Sequence, residues 1–271
     1  MMLEPLQIHE SATADTIACF IRDQITASGL AGAVIALSGR LDSTVAAYLA
    51  VRALGPDLVR VYNMPHATSN PLSQEHACLA AAELDIAFEV IDITPQIDAY
   101  FEHFPQADRL RRANKMARER MSIIYDMARV HNAMVVGTGN RTETMLGYTT
   151  LWGDMGCGIE PIGDLYKTQV RWLAAYLQVP SEIIEKPPSA DLWQGQTDEE
   201  ELGLTYDDAD WVLYHMLELE RTEDDIAADG VVDEETVAKV FRLVKRNVFK
   251  RRLPLYPGIA AYWRQPPPAV P

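Results

Sequence analysis

The spacing of apolar positions changes period along the chain, and the changes mark alternating helices and strands. Ile17, Ile21 and Ile25 recur at helical spacing, and Gly29 predicts the end of that helix. Gly32-Ala33-Val34-Ile35-Ala36-Leu37 is an unbroken small and apolar run, the pattern of a strand buried on both faces. A helix is expected from about Asp42 to Leu54, closed by Gly55-Pro56. Leu58 to Met64 predicts a second strand, stopped by Pro65, and Pro71 to Leu84 a helix. Ala87 to Ile93 reads as a third strand, Arg109 to His131 as a long helix that is basic in its first half, and Ala133 to Gly137 as a fourth strand.

Strands that alternate with helices form parallel units with right-handed crossovers. The expected fold class is therefore α/β, a doubly wound parallel sheet flanked by helices, with a helical C-terminal part. Ligands of such sheets lie beyond the carboxyl ends of the strands. That directs attention to Ser38–Ser43, Met64–His66 and Thr138–Glu143. Further along, Asp198 to Glu235 is acidic and mostly helical, and its carboxylates are expected to form a solvated face. The Pro-rich stretch Gln265 to Pro268 suggests a loosely ordered terminus. With no internal repeat and no obvious linker, residues 1–271 are expected to form a single domain.

Composition narrows the function classes. The chain has 271 residues, 48% hydrophobic and 23% charged, enough for one large domain. A net charge of −15 disfavours nucleic acid as a partner, because a phosphate backbone is held by clustered Lys and Arg. Met1-Met2-Leu3-Glu4-Pro5 does not read as a signal peptide, and no run approaches the roughly 18 apolar residues of a membrane span. Cys19, Cys78 and Cys157 are far apart and odd in number. They fit reduced thiols in a cytoplasmic protein and match no zinc spacing.

The candidate chemistry begins at Ser38-Gly39-Arg40-Leu41-Asp42-Ser43, between a buried strand and a helix. Backbone N–H groups at a helix N-terminus favour an anion. The loop is neither a Walker A motif nor a dinucleotide fingerprint. It resembles the SGGxDS loop of ATP pyrophosphatases. Other segments extend that likeness in order: Ala117-Arg118-Glu119-Arg120-Met121, Gly137-Thr138-Gly139-Asn140-Arg141-Thr142-Glu143, Gly147-Tyr148-Thr149-Thr150 with Gly153-Asp154, and Pro161 to Thr168. Pro188 to Trp193, Gly195 to Glu199, Glu201-Leu202-Gly203 and Lys250-Arg251-Arg252 with Pro254 complete it. Together they resemble the ammonia-dependent NAD synthetases, which share the adenine nucleotide alpha hydrolase-like fold of the ATP pyrophosphatases.

That resemblance implies two-step amidation. A carboxylate of deamido-NAD attacks the α-phosphate of ATP, giving an acyl adenylate and pyrophosphate, and ammonia then displaces AMP. It implies Asp42 and Glu143 as ligands of Mg²⁺, with ATP as co-substrate. Ser38, Gly39, Arg40, Asp42, Ser43, Met64, Thr138, Lys167 and Ser189 are implied to contact ATP, Asp42 and Lys167 being catalytic. Arg118 and Lys250 would hold the dinucleotide. The bland alternative for Asp42 is a helix N-cap, against which the motif favours the metal role, and Cys157 reads as a packing cysteine rather than a nucleophile. A homodimer is implied, and ammonia would arrive free or from a separate glutaminase, since too few residues precede Gly32 for a glutaminase domain.

Four positions depart from the family pattern. Arg40 replaces a glycine of the loop, and arginine tolerates a positive φ poorly. Arg40 would either lay its guanidinium on the phosphates or obstruct the loop and weaken catalysis. Leu151, Gly158 and Phe249 replace a Lys, an Asp and a His on the dinucleotide side. They leave open a related amide ligase that adenylates another carboxylate. A tRNA-modifying ATP pyrophosphatase is a further alternative, disfavoured by the acidic charge.

Overall fold

The computed structural model describes residues 2–188, 197–252 and 254–255. Ser189 and Trp193 lie outside the described residues. The first helix, α1 (Glu10–Ala27), buries Ile17, Ile21 and Ile25 on one stripe and stops two residues before Gly29, which takes φ +67°. Then follow β1 (Gly32–Ala36), α2 (Leu41–Leu54), β2 (Val59–Asn63), α3 (Pro71–Glu83), β3 (Ala87–Val90), α4 (Thr94–Glu102), α5 (Arg109–His131) and β4 (Ala133–Val136). Local chemistry explains the boundaries. Asn70 and Asp108 cap α3 and α5 by accepting the N–H of Leu72 and Arg111 at 3.0 and 2.7 Å, and Pro71 fills the first turn, where no N–H is needed.

The sheet is wholly parallel, in the order β3-β2-β1-β4. The chain winds outward from β1 through β2 to β3 and then returns to the other side of β1. The reversal opens a crevice at the carboxyl ends of β1 and β4. Helices cover both faces. Ala33 and Ile35 of β1 pack in a core with α1, α2 and the helix α7 (Lys167–Tyr176). Val34 points the other way, into a core with α4 and α5. The doubly wound expectation holds.

The third strand is shorter than its apolar run. Ile91 N–H still bonds Asn63 O at 2.8 Å and Ile93 N–H bonds Pro65 O at 2.9 Å. Pro65 has no N–H to return, so the ladder opens there. The helices α6 (Arg141–Leu146), α8 (Ser181–Ile184), α9 (Asp198–Leu202), α10 (Tyr206–Leu217), α11 (Glu223–Ala228) and α12 (Glu234–Arg246) complete the described chain. A third core gathers Leu146, Tyr166, Leu202, Trp211, Val212, Leu213 and Val240, tying this helical part to α6 and α7. The acidic stretch is not uniformly a solvated face: Asp198 is 3% exposed and Asp210 fully buried. Both accept hydrogen bonds, which is how carboxylates survive burial.

Candidate functional site

A cavity of about 580 Å³ opens at the carboxyl ends of the strands. Ser38, Arg40, Asp42 and Ser43 line it after β1, Met64 to His66 after β2, and Thr138, Gly139 and Glu143 after β4. The three segments marked by topology thus meet in one place. Lys250 enters from the C-terminal end and donates to Gly147 O and Thr149 O at 2.8 and 2.7 Å. A second cavity of about 230 Å³ shares Arg40, Asp42, Glu143 and Asp198 with the first and adds Lys167.

The loop after β1 turns through Gly39, the residue with φ +69°. A side chain at Gly39 would overlap Ser73 O and approach Ala77 N to 2.7 Å, so conformation and close packing both require glycine here. Arg40 is different. It precedes α2 in extended conformation, φ −118° and ψ 165°, which any residue adopts. The expected backbone conflict at Arg40 is absent, because the positive φ falls one residue earlier. Arg40 Nε donates to Ser38 Oγ at 3.2 Å, and the Ser38 and Ser43 hydroxyls are 2.9 Å apart. Asp42 does not act as the N-cap. Arg40 holds that position, and Asp42 lies in the first turn with its carboxylate turned to the site.

Asp42, Lys167 and Glu143 form the ionic centre. Lys167 Nζ pairs with Asp42 Oδ2 and lies 3.2 Å from Glu143 Oε1. Asn140 Nδ2 donates to Asp42 Oδ1 at 2.9 Å. The Lys167 side chain is 3% exposed. Burial alone would lower its pKa, but the Asp42 and Glu143 carboxylates outweigh that and hold it above the ordinary lysine value. Burial would raise Asp42, yet Lys167, Asn140 and Arg40 keep it below the usual carboxylate range. Glu143 behaves oppositely. Burial and the neighbouring Asp42 and Asp198 carboxylates exceed the attraction of Lys167 and push it up to about 7.

A tyrosine and acid shell surrounds the centre. Tyr206 OH lies 3.1 Å from Asp198 Oδ2 and 3.5 Å from Glu143 Oε1. Tyr148 OH lies 3.0 Å from Asp198 Oδ1 and 2.8 Å from Glu201 Oε2. Each hydroxyl has one proton, so each serves one carboxylate at a time. Tyr148 lies in the Gly147–Thr150 segment that the sequence marks, whereas Tyr206, at the start of α10, stands in no such segment and meets the site only through the fold. From α5, Asn114 and Arg120 line the cavity, and Arg120 Nε donates to Met64 O at 2.8 Å. Asn140 and Arg120 lie within segments recognisable in the sequence; what the sequence does not reveal is which residue of each segment faces inward.

Arg118 is not brought into the cavity. It is exposed on α5 and its Nε donates to Leu151 O at 3.1 Å. Gly158 is also exposed, and a Cβ there would come within 2.5 Å of Met134 Sδ. Phe249 is 59% exposed. Cys157 Sγ donates to Glu160 Oε1 at 3.5 Å, and burial with that carboxylate raises the thiol far above its ordinary value, away from nucleophilic character.

Two hard oxygen donors, Asp42 and Glu143, face one buried ammonium beside the loop that follows β1. Mg²⁺ is ordinarily held by one or two carboxylates together with substrate phosphates. The pair suits that mode, and among the described residues no group of three or more His, Cys, Asp or Glu forms a self-contained metal site.

Fold and site together define a nucleotide-handling α/β enzyme with its ligands at the switch point of a parallel sheet. The NAD synthase family model matches residues 13–254. An NH(3)-dependent NAD(+) synthetase of Trichlorobacter lovleyi is 46% identical over 250 residues, covering 92% of this chain and 91% of that protein. One of Fusobacterium nucleatum is 49% identical over 236 residues, covering 87% and 91%. A solved NMN synthetase from Francisella tularensis superposes with TM-score 0.82 at 31% identity, covering 93% of this chain and all of that one. The chain belongs to the NAD synthase family.

Proposed function

We propose that this protein converts deamido-NAD to NAD with ATP and ammonia, through an acyl adenylate, releasing AMP and pyrophosphate. The observation that carries the reading is the Asp42–Lys167–Glu143 centre set at the mouth of the Ser38–Ser43 loop. A carboxylate is a poor acyl donor until it becomes a mixed anhydride with AMP. The step that makes the anhydride loads negative charge on the leaving pyrophosphate, and fixed cations in a dry site stabilise such charge most effectively.

Ser38, Gly39, Arg40 and Ser43 cradle the phosphates by hydroxyl, backbone and guanidinium contacts. Met64 packs at the adenine end, Thr138 lies beside the phosphates, and Ser189 completes the ATP set. Asp42 and Glu143 would hold Mg²⁺, which supplies Lewis-acid neutralisation of the phosphates. Lys167, held between the two carboxylates, would present its ammonium as a point charge to the departing pyrophosphate. Lys250 reaches the dinucleotide inside the cavity, whereas Arg118 reaches it from the exposed rim. Residues 1–271 work as one synthetase unit in the cytoplasm, as a homodimer, using free ammonia or ammonia from a separate glutaminase.

The 43–49% identical relatives named as NAD synthetases favour the dinucleotide over the mononucleotide of the Francisella neighbour. Without ammonia, the protein should catalyse exchange of labelled pyrophosphate into ATP only when deamido-NAD is present. Exchange that ignores deamido-NAD, or needs nicotinate mononucleotide instead, removes the proposal.

A further inference from the structure

The acidic C-terminal helices conceal a carboxylate that touches neither cavity. Asp210, on α10, is fully buried, yet it lies behind the ionic centre, not at the surface. Its Oδ1 accepts a short hydrogen bond from Thr142 Oγ1, and its Oδ2 accepts Thr168 N–H at 2.7 Å. Thr142 Oγ1 in turn accepts Lys167 N–H at 2.9 Å. Thr142 immediately precedes Glu143 and Thr168 immediately follows Lys167. One carboxylate therefore holds the residue next to each partner of the ion pair, Thr142 by its hydroxyl and Thr168 by its backbone N–H.

The grip has a definite geometric effect. The first N–H groups of a helix have no partner within it. In α7 two of these, at Lys167 and Thr168, are claimed by Thr142 and Asp210. The start of α7 is thus locked to the start of α6, although residues 147–166 separate the two helices in sequence. Lys167 Nζ, on the first residue of α7, lies 3.2 Å from Glu143 Oε1, in the first turn of α6. Burial pushes the Asp210 carboxyl up to about 6, while the Thr142 and Thr168 donors oppose that shift.

We propose that the Thr142–Asp210 pair is a positioning unit that sets the Lys167–Glu143 geometry for adenylation. The proposal rests on the reading of this site as a synthetase. A positioning unit acts on the rate of the chemical step, because a displacement of roughly 1 Å can cost about 100-fold in rate. A scaffold contact acts on stability alone. Thr142→Val removes the hydroxyl and keeps the shape, whereas Thr142→Ser keeps the hydroxyl. Both leave Asp42, Glu143 and Lys167 intact.

The experiment measures kcat, the KM for ATP and the melting temperature of wild type and both variants, with NAD as the product followed. Wild-type turnover establishes the synthetase reading separately; its absence would count against that reading rather than against the lock. The expected result is a kcat about 10- to 100-fold lower in Thr142→Val with KM for ATP within about threefold of wild type, and recovery to within about threefold in Thr142→Ser. A Thr142→Val kcat within twofold of wild type would overturn the proposal, whatever the melting temperature. So would an equal kcat loss in the two variants, since the hydroxyl would then be irrelevant.

Discussion

Glu143 Oε1 lies 3.2 Å from Lys167 Nζ, and yet its carboxyl is pushed up to about 7. A lone ion pair would shift it down. Burial, together with the Asp42 and Asp198 carboxylates, reverses the sign. One ammonium is shared between two buried carboxylates, and Asp42 takes the larger part of it, since its carboxyl is lowered while that of Glu143 is raised.

The first prediction concerns stability against pH. The Glu143 pKa is raised from 4.5 to about 7, so its contribution favours folding fully below pH 4.5 and is lost as pH rises through about 7. Glu143→Gln mimics the protonated carboxyl. Without ligands, the variant should be more stable than wild type at pH 8, by roughly 3 kcal/mol in unfolding free energy, with the gap closing towards pH 4.5. The same variant should lose Mg²⁺-dependent turnover by about 100-fold. Melting curves at the two pH values and initial rates check both halves; a Glu143→Gln protein less stable than wild type at pH 8 would refute the charge balance described here.

Lys167→Met should do the reverse. It leaves the Asp42 and Glu143 carboxylates buried without their ammonium, and breaking a buried pair in this way costs about 3–5 kcal/mol. Denaturant unfolding at pH 8 should show that loss. It should shrink as pH falls and the carboxyls protonate. A loss independent of pH would place the role of Lys167 in packing instead.

Gly39 and Arg40 should separate cleanly. Gly39→Ala meets Ser73 O and needs φ +69°, so ATP binding should fall by at least about tenfold and the melting temperature should drop. Arg40→Ala changes neither backbone demand, and its melting temperature should stay within about 2 °C of wild type. Its KM for ATP should rise about tenfold through loss of the guanidinium. Isothermal titration with ATP and melting curves on the two variants test the contrast.

Much of the fold is legible in the sequence. Continuous apolar runs and capping residues placed Gly32–Ala36, Leu41–Leu54 and Arg109–His131 almost to the residue. The alternation of elements then marked the strand ends where the cavity lies. The conformation of Arg40 was not legible, because a motif shows which residue replaced glycine but not which glycine carries the positive φ. The roles of Asp198, Asp210, Tyr148 and Tyr206 were hidden for a related reason. Tyr148 and Asp198 stand in marked segments, but their pairing comes from long-range packing, and Asp210 and Tyr206 stand in no marked segment, Asp210 looking in sequence like the solvated carboxylates around it. Arg118 shows the converse: a motif residue that local pattern brings to notice but that the fold leaves on the rim.

The most direct measurement gives the purified protein ATP, Mg²⁺ and ammonium with either deamido-NAD or nicotinate mononucleotide, and identifies the products. The account predicts NAD, AMP and pyrophosphate in equal amounts from deamido-NAD, at a kcat/KM at least tenfold above that for the mononucleotide. Preferential formation of the mononucleotide amide, or ADP and phosphate in place of AMP and pyrophosphate, would contradict it.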